Sequence, residues 1–162
     1  MSGSTENQAP GASEKASPRS PVLSLSTARR MLPLVQQIVA DILHNQRLLT
    51  QLTPERDKLD GERRLLDWPQ RQRRYQLRED IAAADRNLHE ALAEFEGLGL
   101  TLVIPQDGLV GFPTVVNGRK AFFSWKPGED SLKYWHFVGD SVRRKIPAGW
   151  VESDESRLVG KS

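Results

Sequence analysis

The feature that most constrains this fold is a row of apolar residues with heptad spacing. Its members step alternately by four and three positions: Leu77, Ile81, Ala84, Leu88, Ala91, Phe95 and Leu98. This spacing puts all of them on one stripe of an α-helix, as in helices that pack lengthwise against a neighbour. The row predicts a helix over about 71–97, roughly 40 Å long at ~1.5 Å per residue. Gly97 and Gly99 are expected to end it.

A second apolar row precedes the first and is its expected partner. Ser24 is a suitable N-cap, and a 3/4 spacing follows in Leu25, Ala28, Leu32, Val35, Val39, Ile42 and Leu49. Pro33 predicts a kink near the start of this helix, and Pro54 predicts a bend or a restart. Residues 58–70 are expected to reverse the chain, so that the two helices form an antiparallel hairpin.

Beyond residue 99 the apolar period changes to two, which is typical of strands. Leu100, Leu102 and Ile104 alternate with their neighbours, and Asn117-Gly118 is the preferred pair for a tight hairpin turn. We expect an antiparallel meander of three or four strands, backed by the helices because so small a sheet is marginal alone. The predicted fold class is α+β: a long antiparallel, coiled-coil-like helical hairpin with a small antiparallel β-meander at one end.

These elements imply one domain with two tails. Residues 1–22 are rich in Ser, Pro, Gly and Ala and have almost no apolar side chains, so we expect a disordered tail. The hairpin is assigned to 23–98. The sheet and a C-terminal extension of the same domain are assigned to 99–147, and a second disordered tail to 148–162.

Composition excludes several classes of protein. The chain has no cysteine, which excludes disulfides, thiolate metal sites and thiol catalysis. It shows no signal peptide and no apolar run near the ~18 residues of a membrane span, so we expect a cytoplasmic protein without a membrane partner. The net charge is only +2, and the excess lies in 141–162, which holds five bases and three acids.

The richest chemistry lies between Gly108 and Phe137. The candidate binding residues are Arg119, Trp125, Glu129, Tyr134, Trp135 and His136. An aromatic-lined cleft with a titratable histidine suits a small ligand or a catalytic centre. In the alternative reading, the aromatic residues hold the sheet on the helices and His136 makes only local hydrogen bonds. The three histidines are far apart in sequence, so we predict no metal site; we also predict no cofactor and assign no catalytic residue.

The turn after Lys126 predicts how the aromatic strands pair. It favours Trp125 opposite Leu132, with Phe123 opposite Tyr134 and Ala121 opposite His136 in the same register. In that register Trp125 and Trp135 lie on opposite faces of the sheet. One aromatic face would then pack on the helices, and the other would be left for a partner, a ligand or a second subunit.

Two surfaces of the hairpin suggest partners. Six arginines surround the expected reversal, with Trp68 and Tyr75 among them: Arg63, Arg64, Arg71, Arg73, Arg74 and Arg78. Basic and aromatic residues together can bind nucleic acid, but interspersed acidic residues favour a salt-bridged helix end instead, so a nucleic acid is not the preferred partner. The heptad seam can pair within one chain, or it can also contribute to a homodimer.

Several short segments resemble a known family. They are LSLSTARRMLP (23–33), GLVGFP (108–113), NGR (117–119), FSWKPGED (123–130) and YWHF (134–137), with a looser match over 139–147. Together they resemble the bacterial family called domain of unknown function 2203. The chain departs from that family at Ser26 and Thr27, where acidic residues are usual, and at Ser124, where Cys is common. The resemblance implies the fold and brings no activity.

Two hypotheses about function follow. The preferred one is a non-enzymatic interaction module of a bacterial cytoplasmic protein, whose partner is another protein or a second copy of the chain. The alternative is a small-molecule-binding protein or small enzyme with a site around His136, Glu129 and Arg119. A concave pocket that joins His136 to a carboxylate or to Arg119 would favour the alternative, whereas a flat exposed apolar patch would favour the module.

Overall fold

The computed structural model describes residues 21–150. Two helices, α1 and α2, precede a sheet of five strands, which confirms the α+β class and adds one strand to the largest number expected. The elements are α1 (Leu25–Gly61), α2 (Trp68–Gly97), β1 (Thr101–Ile104), β2 (Leu109–Val116), β3 (Arg119–Trp125), β4 (Tyr134–Phe137) and β5 (Arg144–Lys145). The predicted tails, 1–22 and 148–162, lie outside the described residues except for 21–22 and 148–150.

Helix α1 begins at the expected cap and does not restart. The Thr27 backbone N–H donates to Ser24 Oγ at 3.1 Å, and the helix continues for 37 residues, or about 55 Å. It passes through both Pro33 and Pro54, so of the bend or restart predicted at Pro54 the restart does not occur. A proline removes one backbone donor. The packing of Leu59, beyond Pro54, is one contact that keeps the final turns helical.

Helix α2 begins at Trp68, earlier than the predicted start at 71. Asp67 caps it by accepting from the Gln70 backbone N–H at 2.9 Å, while the Gln70 side chain accepts from the Asp67 N–H at 3.0 Å. This reciprocal pair is a capping box, and Pro69 fits the first turn because that turn leaves backbone donors unused. The reversal is therefore confined to 62–67 and includes a short 3₁₀ turn, Arg63–Leu65.

The two helices pack as an antiparallel hairpin with two apolar clusters. Near the reversal, Leu77 is buried against Leu59 and Leu66. Ala91 and Phe95 belong to the main core between the helices and the sheet. The other buried seam residue is Ala84, and Ile81, Leu88 and Leu98 are half-buried. No helix within residues 21–150 combines the length and the apolar character needed to cross a membrane.

The five strands form an antiparallel sheet in chain order, β1-β2-β3-β4-β5. Asn117 and Gly118 have φ values of 53° and 78°, as the predicted tight turn requires. The predicted pairing of β3 with β4 is wrong by one residue. Phe123 pairs with Trp135 and Phe122 pairs with His136. The turn after Lys126 does not close at once, because β4 begins only at Tyr134, so it could not determine the register.

This register places Trp125 and Trp135 on the same face of the sheet. Phe123 faces Trp135 across the strands, and Trp125 lies two residues beyond Phe123, where side chains share a face. Both tryptophans belong to the main core with α1, so we call this the core face and the opposite side the outer face. The prediction of opposite faces is therefore wrong, and the core-face aromatic residues are not free for a partner.

The C-terminal part of the described chain completes this core. The ring of Trp150 lies 5.2 Å from the Trp135 ring and 6.3 Å from the Phe123 ring, measured between centroids. The sequence predicts Trp150 in the C-terminal tail, whereas the structure places its ring over the core face beside β4. At the other end, Pro21 contacts Gly99, and the Leu23 N–H donates to the Pro113 carbonyl at 2.8 Å.

Gly111 on the outer face leaves room for the ring of Phe122. A Cβ atom at Gly111 would lie 2.6 Å from Phe122 Cδ1 and 3.0 Å from Val103 Cγ2. We expect Gly111→Ala to lower the free energy of unfolding by about 1–3 kcal/mol, because the ring must move away from its packed position. Urea unfolding measures this change. Gly61→Ala is the matched control, since a Cβ atom at Gly61 would meet no atom within 4 Å apart from the local helix backbone. A wild-type midpoint for Gly111→Ala would contradict the placement of Phe122.

Candidate functional site

The structure divides the six predicted site residues between two groups. Tyr134 and His136 lie on the outer face, and Glu129 joins them through Arg143. The second group lies on the core face: Trp125, Trp135 and Arg119. Arg119 therefore does not converge with His136 and Glu129 as the small-molecule hypothesis required. Arg119 is the first residue of β3 and lies on the core face. The β3–β4 register, which the sequence did not reveal, places His136 on the opposite face.

Arg143 organises the outer-face group. Its Nη1 donates to Glu129 Oε2 at 2.7 Å, and its Nη2 donates to Glu129 Oε1 at 2.8 Å. Its Nε donates to Ser124 Oγ at 2.9 Å, and Nη2 also donates to the Ser124 carbonyl at 3.0 Å. The guanidinium carbon lies 4.5 Å from the centre of the Tyr134 ring. We call Arg143, Glu129, Ser124 and Tyr134 the Arg143 clamp.

The clamp favours the ionised form of Glu129. Burial alone would raise the pKa of Glu129, but the hydrogen bonds from Arg143 and from the Lys126 backbone N–H outweigh it. The pKa of Glu129 therefore lies below its ordinary value of 4.5. Both carboxylate oxygens accept from Arg143, so Glu129 is poorly suited to act as a general base. These hydrogen bonds instead hold Arg143, which precedes β5, against β3 and against the turn that follows β3.

His136 is buried beside the clamp without a clear chemical partner. It is 2% exposed, and its ring lies 5.6 Å from that of Phe122. Within residues 21–150, its Nδ1 atom has no hydrogen-bond partner. Burial lowers the pKa of His136 below 6.5, the positive charge of Arg143 lowers it further, and Asp140 opposes both effects. The ring is therefore neutral at neutral pH. Between residues 21 and 150, no carboxylate accepts a hydrogen bond from Nδ1 to orient the ring for proton transfer.

Stability should depend on pH through His136. The unfolded chain binds a proton near pH 6.5 and the folded chain only at lower pH, so stability is complete above 6.5 and falls as the pH decreases toward the folded pKa. The slope is at most about 1.4 kcal/mol per pH unit. Urea unfolding between pH 7.5 and 5 measures it. We expect His136→Gln to reduce the slope and His89→Gln, at an exposed position, to leave it unchanged. A slope that persists in His136→Gln would contradict the assignment.

A second group of cationic and aromatic side chains lies at one corner of the core face. The Cζ atom of Arg119 lies 3.9 Å from the centre of the Phe137 ring. The Cζ atom of Arg144 lies 6.0 Å from the same centre and 5.4 Å from that of Trp135. We call Arg119, Arg144 and Phe137 the arginine rim. Sequence reasoning did not select Arg143 or Arg144, although both lie in the 139–147 segment of the family resemblance.

Three large apolar or aromatic side chains are exposed near the reversal of the hairpin. Leu65 is 85% exposed, Trp68 is 65% exposed and Tyr75 is 71% exposed. We call these three the hairpin-tip patch. A surface depression of about 380 Å³ lies beside it, lined by Asp60, Gly61, Glu62, Arg63, Arg64 and Leu65. Among the helix ends, Arg73 donates to Glu55 at 2.8 Å and Arg74 donates to Asp60. These ion pairs agree with the predicted salt-bridged helix end.

Comparison with known proteins identifies the family of the chain. Among residues 21–150, no group of three or more His, Asp or Glu side chains is placed to hold a metal ion. No curated protein and no solved structure shows a significant match. The model of the family described as "Uncharacterized conserved protein (DUF2203)" matches residues 22–146, and the chain belongs to that family.

Proposed function

We propose that the protein is a non-enzymatic interaction module that binds a protein partner through the hairpin-tip patch. The observation that carries this proposal is the exposure of Leu65, Trp68 and Tyr75 together at one end of the hairpin. The other three tryptophans are buried or half-buried in the main core, so Trp68 has no comparable structural role. Tryptophan and tyrosine are the side chains that most often dominate the binding energy of protein interfaces.

The spacing of the patch suits a partner that lies along α2. Trp68 and Tyr75 are seven residues apart on this helix, which is two turns, so they lie on one side and about 10 Å apart along the axis. A helical partner segment with apolar residues seven positions apart can contact both rings. Leu65 precedes α2 and extends the apolar surface beyond its first turn.

The charges around the patch favour an acidic partner. Glu55 and Asp60 are engaged by Arg73 and Arg74. In contrast, four other arginines of this end form no ion pair with another residue between 21 and 150: Arg63, Arg64, Arg71 and Arg78. Between Glu55 and Asp80 the chain carries eight bases and seven acids, so the net charge of this end is only +1. We propose an amphipathic segment with acidic residues as the partner, because its carboxylates can pair with the four arginines that form no ion pair.

The test compares the wild-type chain with a Trp68→Ala/Tyr75→Ala variant. Cross-linking in the native cell identifies partners, and each protein is then titrated with a purified partner by isothermal titration calorimetry. We expect the double substitution to weaken binding at least tenfold, which corresponds to about 1.4 kcal/mol, and added salt to weaken wild-type binding. Val142→Ala is the control, because Val142 is exposed in the segment between β4 and β5, far from the tip.

Three outcomes would contradict this proposal. A partner that binds the double variant as tightly as the wild type would show that the patch is not the contact. A wild-type dimer that the double substitution abolishes, seen by sedimentation, would assign the patch to self-association. Saturable binding of a single-stranded oligonucleotide that requires Trp68 and Tyr75 would replace the protein partner by a nucleic acid.

A further inference from the structure

We infer that the arginine rim is a binding site for the phosphate group of a phosphate monoester. The rim lies at the sheet end of the molecule, about 45 Å from the hairpin tip, the length of α2. This inference is independent of the proposed function, since none of its residues belongs to the hairpin-tip patch.

The sheet topology brings the two guanidinium groups to one ring. Arg119 is the first residue of β3 and Arg144 the first of β5, and β4 lies between these strands with Phe137 at its end. The two Cζ atoms are 3.9 Å and 6.0 Å from the centre of the Phe137 ring. Each side chain approaches the ring from a different neighbouring strand, so the arrangement depends on the fold and not on local sequence.

Neither charge of the rim is neutralised by the described residues. Within residues 21–150, Arg119 and Arg144 form no ion pair and no side-chain hydrogen bond, whereas the adjacent Arg143 binds Glu129 with two hydrogen bonds. A guanidinium stacked on an aromatic face keeps the N–H groups of its edge available for an acceptor. Both guanidinium carbons lie within 6.0 Å of the centre of the Phe137 ring, so an anion bound beside that ring would be attracted by both charges.

A phosphate monoester matches this arrangement better than a carboxylate does. The two arginines carry two positive charges, and a phosphate monoester carries about −1.5 to −2 at neutral pH with three strong acceptor oxygens. A carboxylate would neutralise only one of the two charges. Arginine binds phosphate through paired N–H groups, and that pairing gives directional recognition. The half-buried ring of Trp150, against Trp135, adds an apolar surface for the remainder of the ligand.

The test follows the arginine side chains directly. The full chain is labelled with ¹⁵N-arginine, and the Nε–Hε signals are recorded during a titration with inorganic phosphate, with chloride used to keep the ionic strength constant. We expect saturable shifts for Arg119 and Arg144 and little change for Arg143, whose donors are engaged by Glu129 and Ser124. Arg119→Gln or Arg144→Gln should raise the half-saturation concentration at least tenfold, whereas Arg86→Gln on the exposed side of α2 should not.

Further arms separate the sources of the phosphate group. A sugar phosphate and a phosphoserine peptide are titrated in the same way. Saturable binding of the sugar phosphate or of the peptide supports the site if it depends on both rim arginines. The ligand that binds more tightly identifies the source of the phosphate group. Linear shifts, or saturable shifts that survive both Gln substitutions, would overturn the inference. A triple variant, Glu152→Gln/Asp154→Asn/Glu155→Gln, tests whether the acidic residues that follow in the sequence compete with phosphate for the rim. Phosphate binding that appears only in this variant would assign the rim to the chain's own carboxylates and would also overturn it.

Discussion

Replacement of either Trp125 or Trp135 by alanine should lower the free energy of unfolding by about 3–5 kcal/mol. The two side chains are 4% and 7% exposed and belong to one continuous core. The Trp135 ring meets the Phe137 ring edge to face, with 4.9 Å between centroids, and Trp150 covers it from another side. Each substitution removes a large buried surface and leaves a cavity that a small sheet on two helices cannot fill.

Urea unfolding followed by far-ultraviolet circular dichroism measures both losses. Trp68→Ala is the matched control, because the same chemical change at the exposed hairpin tip should alter stability by no more than about 0.5 kcal/mol. Equal and severe losses at positions 125 and 135, with none at 68, are the expected pattern. A mild loss at either core position would show that one tryptophan faces solvent and that the β3–β4 register is different.

This pattern depends on a detail that sequence periodicity could not supply. The helices were predictable because apolar residues recur with the helical period, and the β2–β3 turn was predictable because Asn117-Gly118 suits only a few turn types. The β3–β4 register was not, because the long connection between these strands is positioned by distant contacts. A shift of one residue in that register exchanges the faces of the β4 side chains, and this brings Trp135 to the side of Trp125.

The candidate site was predictable to a similar degree. Tyr134 and His136 share a face because they are two residues apart on one strand, and this was evident from the sequence. The participation of Arg143 was not, since it is 19 residues from Ser124 and 14 from Glu129 in the chain. The aromatic and basic character of the reversal was also visible beforehand. The exposure of Trp68 depends on where α2 begins, which the overlooked capping box determines.

The Arg143 clamp should contribute strongly to stability through the coupling of its two charges. The Arg143 and Glu129 side chains are only 18% and 16% exposed. Removal of one partner leaves the other charge partly buried without its hydrogen bonds, so Arg143→Met and Glu129→Gln should each cost about 2–4 kcal/mol. The turn between β3 and β4 depends on the same residue, because the Trp125 indole N–H donates to the Glu129 carbonyl at 2.8 Å.

A double-mutant cycle separates this coupling from the loss of packing. The double variant should lose clearly less stability than the two single variants together, because neither charge is then left without its partner. The exposed Lys133–Asp130 pair is the control, and its coupling should be below about 1 kcal/mol. Glu129 also predicts an acid limb: its contribution is present above pH 4.5 and is lost as the pH falls through its lowered pKa. In Glu129→Gln, stability should fall less steeply as the pH decreases below 4.5. In the double-mutant cycle, strictly additive losses would mean that the clamp stabilises the sheet only by packing.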